Sequence, residues 1–345
     1  MSTTGSSISA ETIRIPAYAM QHVFYQILLH HDFREDRAQA CARIFTDNSV
    51  DGIYTHGVNR FARFIEYVQK GFVIAGQEPV LKTGSHAMEQ WDGQLGPGPL
   101  NAVHATERAV ELARRYGIGC VALSNTNHWM RGGTYGWNAA RAGCVFIGWT
   151  NTIANMPAWG ATDSRLGNNP LVFAVPYGEE AIVLDMAMSQ YSYGALEQFK
   201  MRDQQLPVAG GYDKAGRLST DPSAILASQR TLPAGYWKGA GLSLLLDILA
   251  AILSAGSATH EITARKTEYA VSQVFIAISL SFLQNHASIQ HTIELIIRDY
   301  QASIPEKEAG SITYPGERVL HTRMNNLQQG VPVNKEVWET VRKLL

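Results

Sequence analysis

The segment Thr55-His56-Gly57-Val58-Asn59-Arg60 sets an imidazole and a guanidinium four residues apart. An imidazole can deliver a proton near neutral pH, and a guanidinium can grip a carboxylate through two parallel hydrogen bonds. Reduction of a 2-keto acid needs such a pair: one group protonates the carbonyl oxygen as hydride reaches carbon, and the other fixes the carboxylate. If a helix starts near Gly57, the spacing puts His56 and Arg60 on one face, opposite Val58 and Phe61. A histidine packed at a helix start beside a solvated arginine is the plainer account, and the commoner one for so short a motif.

A second His and Arg segment, Asn125-Thr126-Asn127-His128-Trp129-Met130-Arg131-Gly132-Gly133, follows an expected strand and precedes an expected helix. Ligands collect at such strand ends in open sheets, and adjacent glycines let backbone approach them closely. An ordinary polar connection is the alternative. Asp185, a lone acid ending the run Ile182-Val183-Leu184, could orient a histidine, bind a ribose hydroxyl or cap the next helix. Gly235-Tyr236-Trp237-Lys238-Gly239 offers flat rings to a base or nicotinamide and an ammonium to a phosphate, or else an aromatic staple at a helix start. Gly316-Glu317-Arg318 lies in a loop that interrupts a helical tail, where the same ambiguity holds.

Other templates fail. No G-x-G-x-x-G stands in a strand-turn-helix context, so a standard Rossmann domain is disfavoured. There is no H-E-x-x-H, C-x-x-C or G-x-S-x-G, which leaves zinc protease, thiol redox and α/β-hydrolase readings without support, and no metal site is expected.

The elements that must hold these residues follow from periodicity. Helical spacing recurs over residues 17–31; Asp32 and Glu35 read as a capping box for a second helix to about Asn48; a third begins near Gly57 and buries Val58, Phe61, Ile65 and Val68. Residues 77–99 change to short apolar pieces with Gly and Pro, which suggests strands and a tight loop and marks the best boundary. Beyond it helices (100–116, 135–142) interleave with strands (119–125, 144–151, 170–177, 181–187, 271–280), which argues for an α/β sheet domain. Residues 291–345 return to helical patterning. The expected division is a flexible tail over 1–13, a helical domain from 14–88 with 291–345, and a mixed-sheet domain over 89–290.

Composition narrows the function. Of 345 residues, 46% are hydrophobic and 17% charged, enough apolar content for a sizeable core. Twenty-nine Lys and Arg against thirty Asp and Glu leave a net charge of −1, which gives no global field for nucleic acid or an anionic membrane. A few placed cations, namely Arg60, Lys238, Arg318 and Arg131, would have to serve a small anion. Three cysteines form no disulfide framework, which suggests a reducing compartment. The start of the chain lacks the pattern of a signal peptide, and the apolar run 239–256 carries Asp247 at its middle, so a buried helix and a cytoplasmic protein are expected.

Taken in order, THGVNRF, NTNHWMRGGTYGW, WTNTIANMPAWGA, NNPLVFAVP, VLDMAMSQYSYG, LPVAGGYD, LPAGYWKGAGLSLLLDILA and YPGER resemble the malate/L-lactate dehydrogenase family that lacks a Rossmann fold. The resemblance runs from about Arg14 to the C-terminus. It implies a mixed α/β fold with a seven-stranded sheet, and a homodimeric cytoplasmic reductase using NAD, with NADH preferred and NADPH possible. The substrate it implies is a small anionic keto acid, best a 2-keto or 2,3-diketo sugar acid. Malate, lactate, ureidoglycolate or a cyclic imino acid are alternatives on the same fold, and a catalytically silent nucleotide binder is a remote one. Carried over by motif, His56 is the proton donor, and Thr55, Arg60 and His128 bind substrate. Cofactor contacts fall on Ala181, Ile182, Val183, Leu184, Asp185, Met186 and Ala187, on Trp237 and Lys238, and on Gly316, Glu317 and Arg318. Two departures stand out: Thr55 replaces a serine, and Asn168 replaces the threonine of a Gly-Thr-Asn-Pro segment.

Overall fold

The computed structural model describes residues 11–306 and 310–345. A seven-stranded mixed sheet forms the middle of the molecule. Its strands in chain order are β1 (Val80–Ser85), β2 (Met88–Asp92), β3 (Ile118–Thr126), β4 (Cys144–Thr150), β5 (Leu171–Tyr177), β6 (Glu180–Met186) and β7 (Val271–Ser279). Their spatial order is β1-β2-β3-β7-β4-β5-β6. Only β2 and β3 run parallel; every other neighbouring pair in the sheet is antiparallel. β7 lies at the centre with both faces covered, which is why it reads as a nearly continuous apolar run.

One face of the sheet carries α4 (Gly98–Tyr116) and α5 (Gly133–Arg141), packed through Ala105, Ala109, Trp129, Tyr135 and Phe275. The other face carries α7 (Trp237–Ser254), through Ala240, Leu246 and Ala250. The helical layer beside the sheet consists of α1 (Ala17–His30), α2 (Glu35–Val50), α3 (Val58–Gln69) and the chain's last helix, α9 (Lys335–Arg342). Phe24 stacks on Phe61 at 4.0 Å, Phe45 meets Phe61 edge-on, and Trp338 and Val341 close the same cluster. Two further helices are α6 (Tyr193–Met201), which follows β6, and α8 (Glu317–Gln329), which follows β7.

Several expectations need correction. Of the expected tail, residues 1–10 lie outside the described residues, but Thr12 and Ile13 belong to a strand, Thr12–Ile15, paired antiparallel with Val331–Asn334. The sheet begins at Val80 and not at residue 89, because β1 and β2 form a hairpin; β1 is exposed along its length and so shows no apolar alternation to read. The capping box does not form: Arg34 is the N-cap of α2 and makes no side-chain cap bond. Val58, Phe61 and Ile65 are buried as expected, while Val68 is only partly covered.

The apolar helix α7 is not a buried helix. Ser243, Leu246 and Ala250 face the sheet, whereas Leu244, Leu245, Ile248 and Ile252 are 43–62% exposed. Asp247 is accommodated by accepting bonds from Asn151 and from the Thr259 amide. Among the described residues α7 is the one helix long and apolar enough to cross a membrane, by length and composition alone. The three cysteines are free thiols.

Candidate active site

His56 ends a single turn of 3-10 helix, Tyr54–His56, and Arg60 lies in the first turn of α3. They are therefore not on one continuous helix as the spacing suggested, since Gly57 breaks the path with φ −114° and ψ −121°. The turn is nonetheless fixed. Asn48, fully buried on α2, donates to the His56 carbonyl at 3.0 Å and accepts from the Thr134 hydroxyl at 2.8 Å. Ser49 Oγ accepts the Val58 amide at 2.9 Å.

The Thr55 hydroxyl lies 3.1 Å from His56 Nδ1, which leaves Nε2 as the atom to carry a transferable proton. The hydroxyl that replaces serine thus keeps a ring-orienting contact. Burial pushes the His56 imidazole down to about 4, with the Arg60 and Arg131 charges adding to the effect. The ring is neutral at pH 7.

His128 faces His56 with ring centroids 5.6 Å apart and planes within 13°. The Met130 amide donates to His128 Nδ1 at 2.9 Å, so that nitrogen is unprotonated and the hydrogen sits on Nε2. Burial, Arg60 and His56 all hold His128 well below the ordinary histidine range. It is a neutral N–H donor of fixed tautomer. Arg60 and His128 both line one pocket that opens to solvent. Among the described residues the Arg60 guanidinium makes no ion pair or hydrogen bond. Its burial lowers its affinity for a proton, with Glu268 opposing.

Arg131, grouped from sequence with the ligand-binding cations, has a different role. Its side chain is 5% exposed and paired with Asp51, which also accepts from Arg323 on α8 at 2.6 Å. Arg323 reaches Asp47 as well. The network ties α2, the loop before α5 and α8 together. Neither Asp51 nor Asn48 carried a signal in the sequence.

The segments expected to hold a cofactor do converge. The Val183 amide on β6 donates to the Pro315 carbonyl at 2.9 Å, which sets Gly316 against the strand. Gly316 has φ +97°, and a Cβ there would meet Val183 N at 3.2 Å and the Trp137 ring at 3.4 Å. Past the end of β6, Met188 accepts from the Ala234 amide at 2.8 Å, and Tyr236, Trp237 and Lys238 follow at the start of α7. Trp237 is 63% exposed with Lys238 Nζ 5.9 Å from its ring centre. Exposed flat rings, an exposed lysine, the exposed Arg318 and a glycine-lined backbone approach suit a dinucleotide. Leu184 and Asp185 are open on this side; Ala181 and Val183 are buried.

Two acids there are partly committed. Asp185 Oδ2 accepts the Gly133 amide at the start of α5 at 2.7 Å and does not cap the next helix, α6, whose N-cap is Ser192; desolvation raises the Asp185 pKa despite that bond and Arg131. Glu317 accepts from the Tyr314 amide and from Gln301. The Asn168 departure is also explained: its amide oxygen accepts from Thr152 and Asn155, and its carbonyl from the Met188 amide. α6 lies close against the histidine turn: a methyl at Gly194 would lie 2.7 Å from Thr55 Cγ2.

The sequence profile of malate/L-lactate dehydrogenases matches residues 15–342. The chain belongs to this family. Among its relatives, 2,3-diketo-L-gulonate reductase of Salmonella paratyphi A is 42% identical over 326 residues, 94% of this chain and 98% of the relative. The reductase of the same name from Pasteurella multocida is 42% identical over 334 residues, covering 96% and 100%. Malate dehydrogenase of Pyrococcus horikoshii superposes with a TM-score of 0.88 at 25% identity, covering 96% of this chain and 94% of that one. Malate dehydrogenase of Entamoeba histolytica superposes at 0.91 with 23% identity and 97% of both chains, a likeness of fold. As a malate/L-lactate dehydrogenase family member the protein is an oxidoreductase of mixed α/β fold, and the family's chemistry calls for a nicotinamide cofactor.

Proposed function

We propose that the protein reduces a 2-keto or 2,3-diketo sugar acid, 2,3-diketo-L-gulonate first among them, with NADH preferred. The observation that carries this reading is a neutral His56 facing His128, with an Arg60 that makes no ion pair lining the same pocket as His128. Arg60 grips the substrate carboxylate, and His128 donates from Nε2 to a substrate oxygen. The bound carboxylate offsets Arg60, which restores the basicity of His56 and lets it hold a proton at Nε2. That proton goes to the carbonyl oxygen as the alcohol forms. Thr55 keeps the ring turned. When bound, the nicotinamide supplies the hydride. Ala181, Ile182, Val183, Leu184, Asp185, Met186 and Ala187, with Trp237, Lys238, Gly316, Glu317 and Arg318, hold that cofactor, and the relatives' names support the sugar acid as substrate.

A domain division at residue 79, ahead of β1, and a cytoplasmic homodimer complete the proposal. The exposed leucine face of α7 supports a second copy as its cover, since apolar patches of this kind mark contact surfaces. Light scattering should give twice the mass of one chain, and Leu245→Glu with Ile252→Glu should give one. Paired initial rates with NADH and NADPH on 2,3-diketo-L-gulonate test the activity, with malate, lactate, ureidoglycolate and piperideine-2-carboxylate alongside. No turnover of any of them, with NADH still bound, would reduce the protein to a nucleotide binder.

A further inference from the structure

The pocket that Arg60 and His128 share is lined by more than the groups needed for reduction. Arg63 and Tyr67 on α3 and Glu268 line it too, with Phe64 and Val73 as apolar wall. Arg60 and Arg63 stand three residues apart and so look the same way from the helix. The Arg63 guanidinium is anchored by one bond, Nη2 to the Tyr67 hydroxyl at 3.1 Å. Glu268 is anchored by one bond too, its Oε2 accepting the Ile153 amide at 3.1 Å. The residue after it, Tyr269, stacks on Phe72 with centroids 4.8 Å apart, which fixes the wall that carries the acid.

A guanidinium and a carboxylate in one pocket ordinarily close on each other. Here they do not: neither Arg63 nor Glu268 belongs to any ion pair among the described residues. The two anchors hold apart a fork of donors and an acceptor. A chain of hydroxyls satisfies both, since each hydroxyl can accept from Arg63 and donate to Glu268. A methyl tail would leave both groups without partners, and a second carboxylate would face Glu268 with like charge.

We propose that Arg63 and Glu268 form the subsite that reads the hydroxylated tail of the substrate, selecting polyhydroxylated keto acids over short keto acids and over dicarboxylates. The inference rests on the reductase reading and deepens it. Sites built to bond a hydroxyl reject analogues lacking one far more strongly than apolar pockets do.

The test is kcat/KM of wild type, Glu268→Gln and Arg63→Met on 2,3-diketo-L-gulonate, pyruvate and oxaloacetate, with melting curves for each protein. In both variants the loss on the sugar acid should exceed the loss on pyruvate at least tenfold, and Glu268→Gln should raise the oxaloacetate value relative to wild type. Equal losses on sugar acid and pyruvate, or no loss on the sugar acid, would overturn the subsite. Where pyruvate turns over too slowly, inhibition constants of L-gulonate and L-lactate against the sugar acid give the same comparison, and an L-gulonate constant unchanged in the variants overturns the proposal. If one variant melts early, the other decides. Wild type that reduces no keto acid at all refutes the reductase reading, a result distinct from active enzyme whose variants fail to discriminate.

Discussion

Two segments of this chain hold a histidine and an arginine within four residues, and the fold treats them in opposite ways. In the first, Arg60 makes no ion pair although Glu268 lines its pocket, and His56 is depressed by burial and then by the Arg60 charge. In the second, Arg131 is buried against Asp51, and that acid is itself shared with Arg323. The histidines differ likewise. His128 has its tautomer set by a backbone amide, while His56 is met at Nδ1 only by a hydroxyl that can donate or accept. A cation with a partner builds architecture; a cation deprived of one is held for a ligand. The acid that decides between them lies five residues before His56 in one segment and 80 before Arg131 in the other, as the contact of Asp51 with Arg131 requires.

The comparison can be broken at four points. His56→Ala should lower kcat for keto-acid reduction by about 10²–10⁴-fold, the usual worth of a positioned general acid, with NADH binding retained in a fluorescence titration. Near wild-type turnover would remove His56 from the chemistry. Arg131→Ala should instead act on stability, by about 3 kcal/mol, the lower end for a broken buried pair because Arg323 still neutralises Asp51; chemical denaturation would measure it. Arg60→Ala should leave the melting temperature nearly unchanged and raise KM by roughly 10- to 100-fold, about the loss of a charged hydrogen bond. If Arg60→Ala melted early and Arg131→Ala did not, the assignment of the two arginines would be reversed.

The gentlest test is the pH profile. His56 in the free protein is depressed to about 4, so the protonated form needed for reduction becomes scarcer as pH rises. Hence kcat/KM should fall by about tenfold per unit between pH 5 and 8, since it reports groups of the free enzyme. The kcat profile should break at higher pH, because substrate anion offsets Arg60. Identical breaks in both would show that substrate charge does not reach His56.

Much of this was legible from spacing. The helices of the first layer and five of the seven sheet strands follow from apolar periodicity, and the residues gathered around His56, β6, α7 and Gly316 carry the family motifs. What escaped depends on partners distant in sequence. Nothing in Asp51 or Asn48 announces that they meet Arg131 or the His56 carbonyl, and Arg131 looked as free as Arg60. Strands were expected within residues 77–99, but the position of β1 escaped because a fully exposed edge strand has no buried side to alternate with. α7 was read as buried because composition gives its apolar content, but not how much of that surface its own chain covers.

The ribbon between Thr12–Ile15 and Val331–Asn334 sets an order of assembly. All seven sheet strands lie before residue 280, so a chain emerging from the ribosome has the sheet in hand while Thr12–Ile15 still waits for its mate. Trp338 and Val341, which pack into the cluster holding Phe61 on the helix of Arg60, arrive later still. The helical layer that carries Arg60 is therefore the last region to set, and a nascent chain can fold its sheet well before that layer closes.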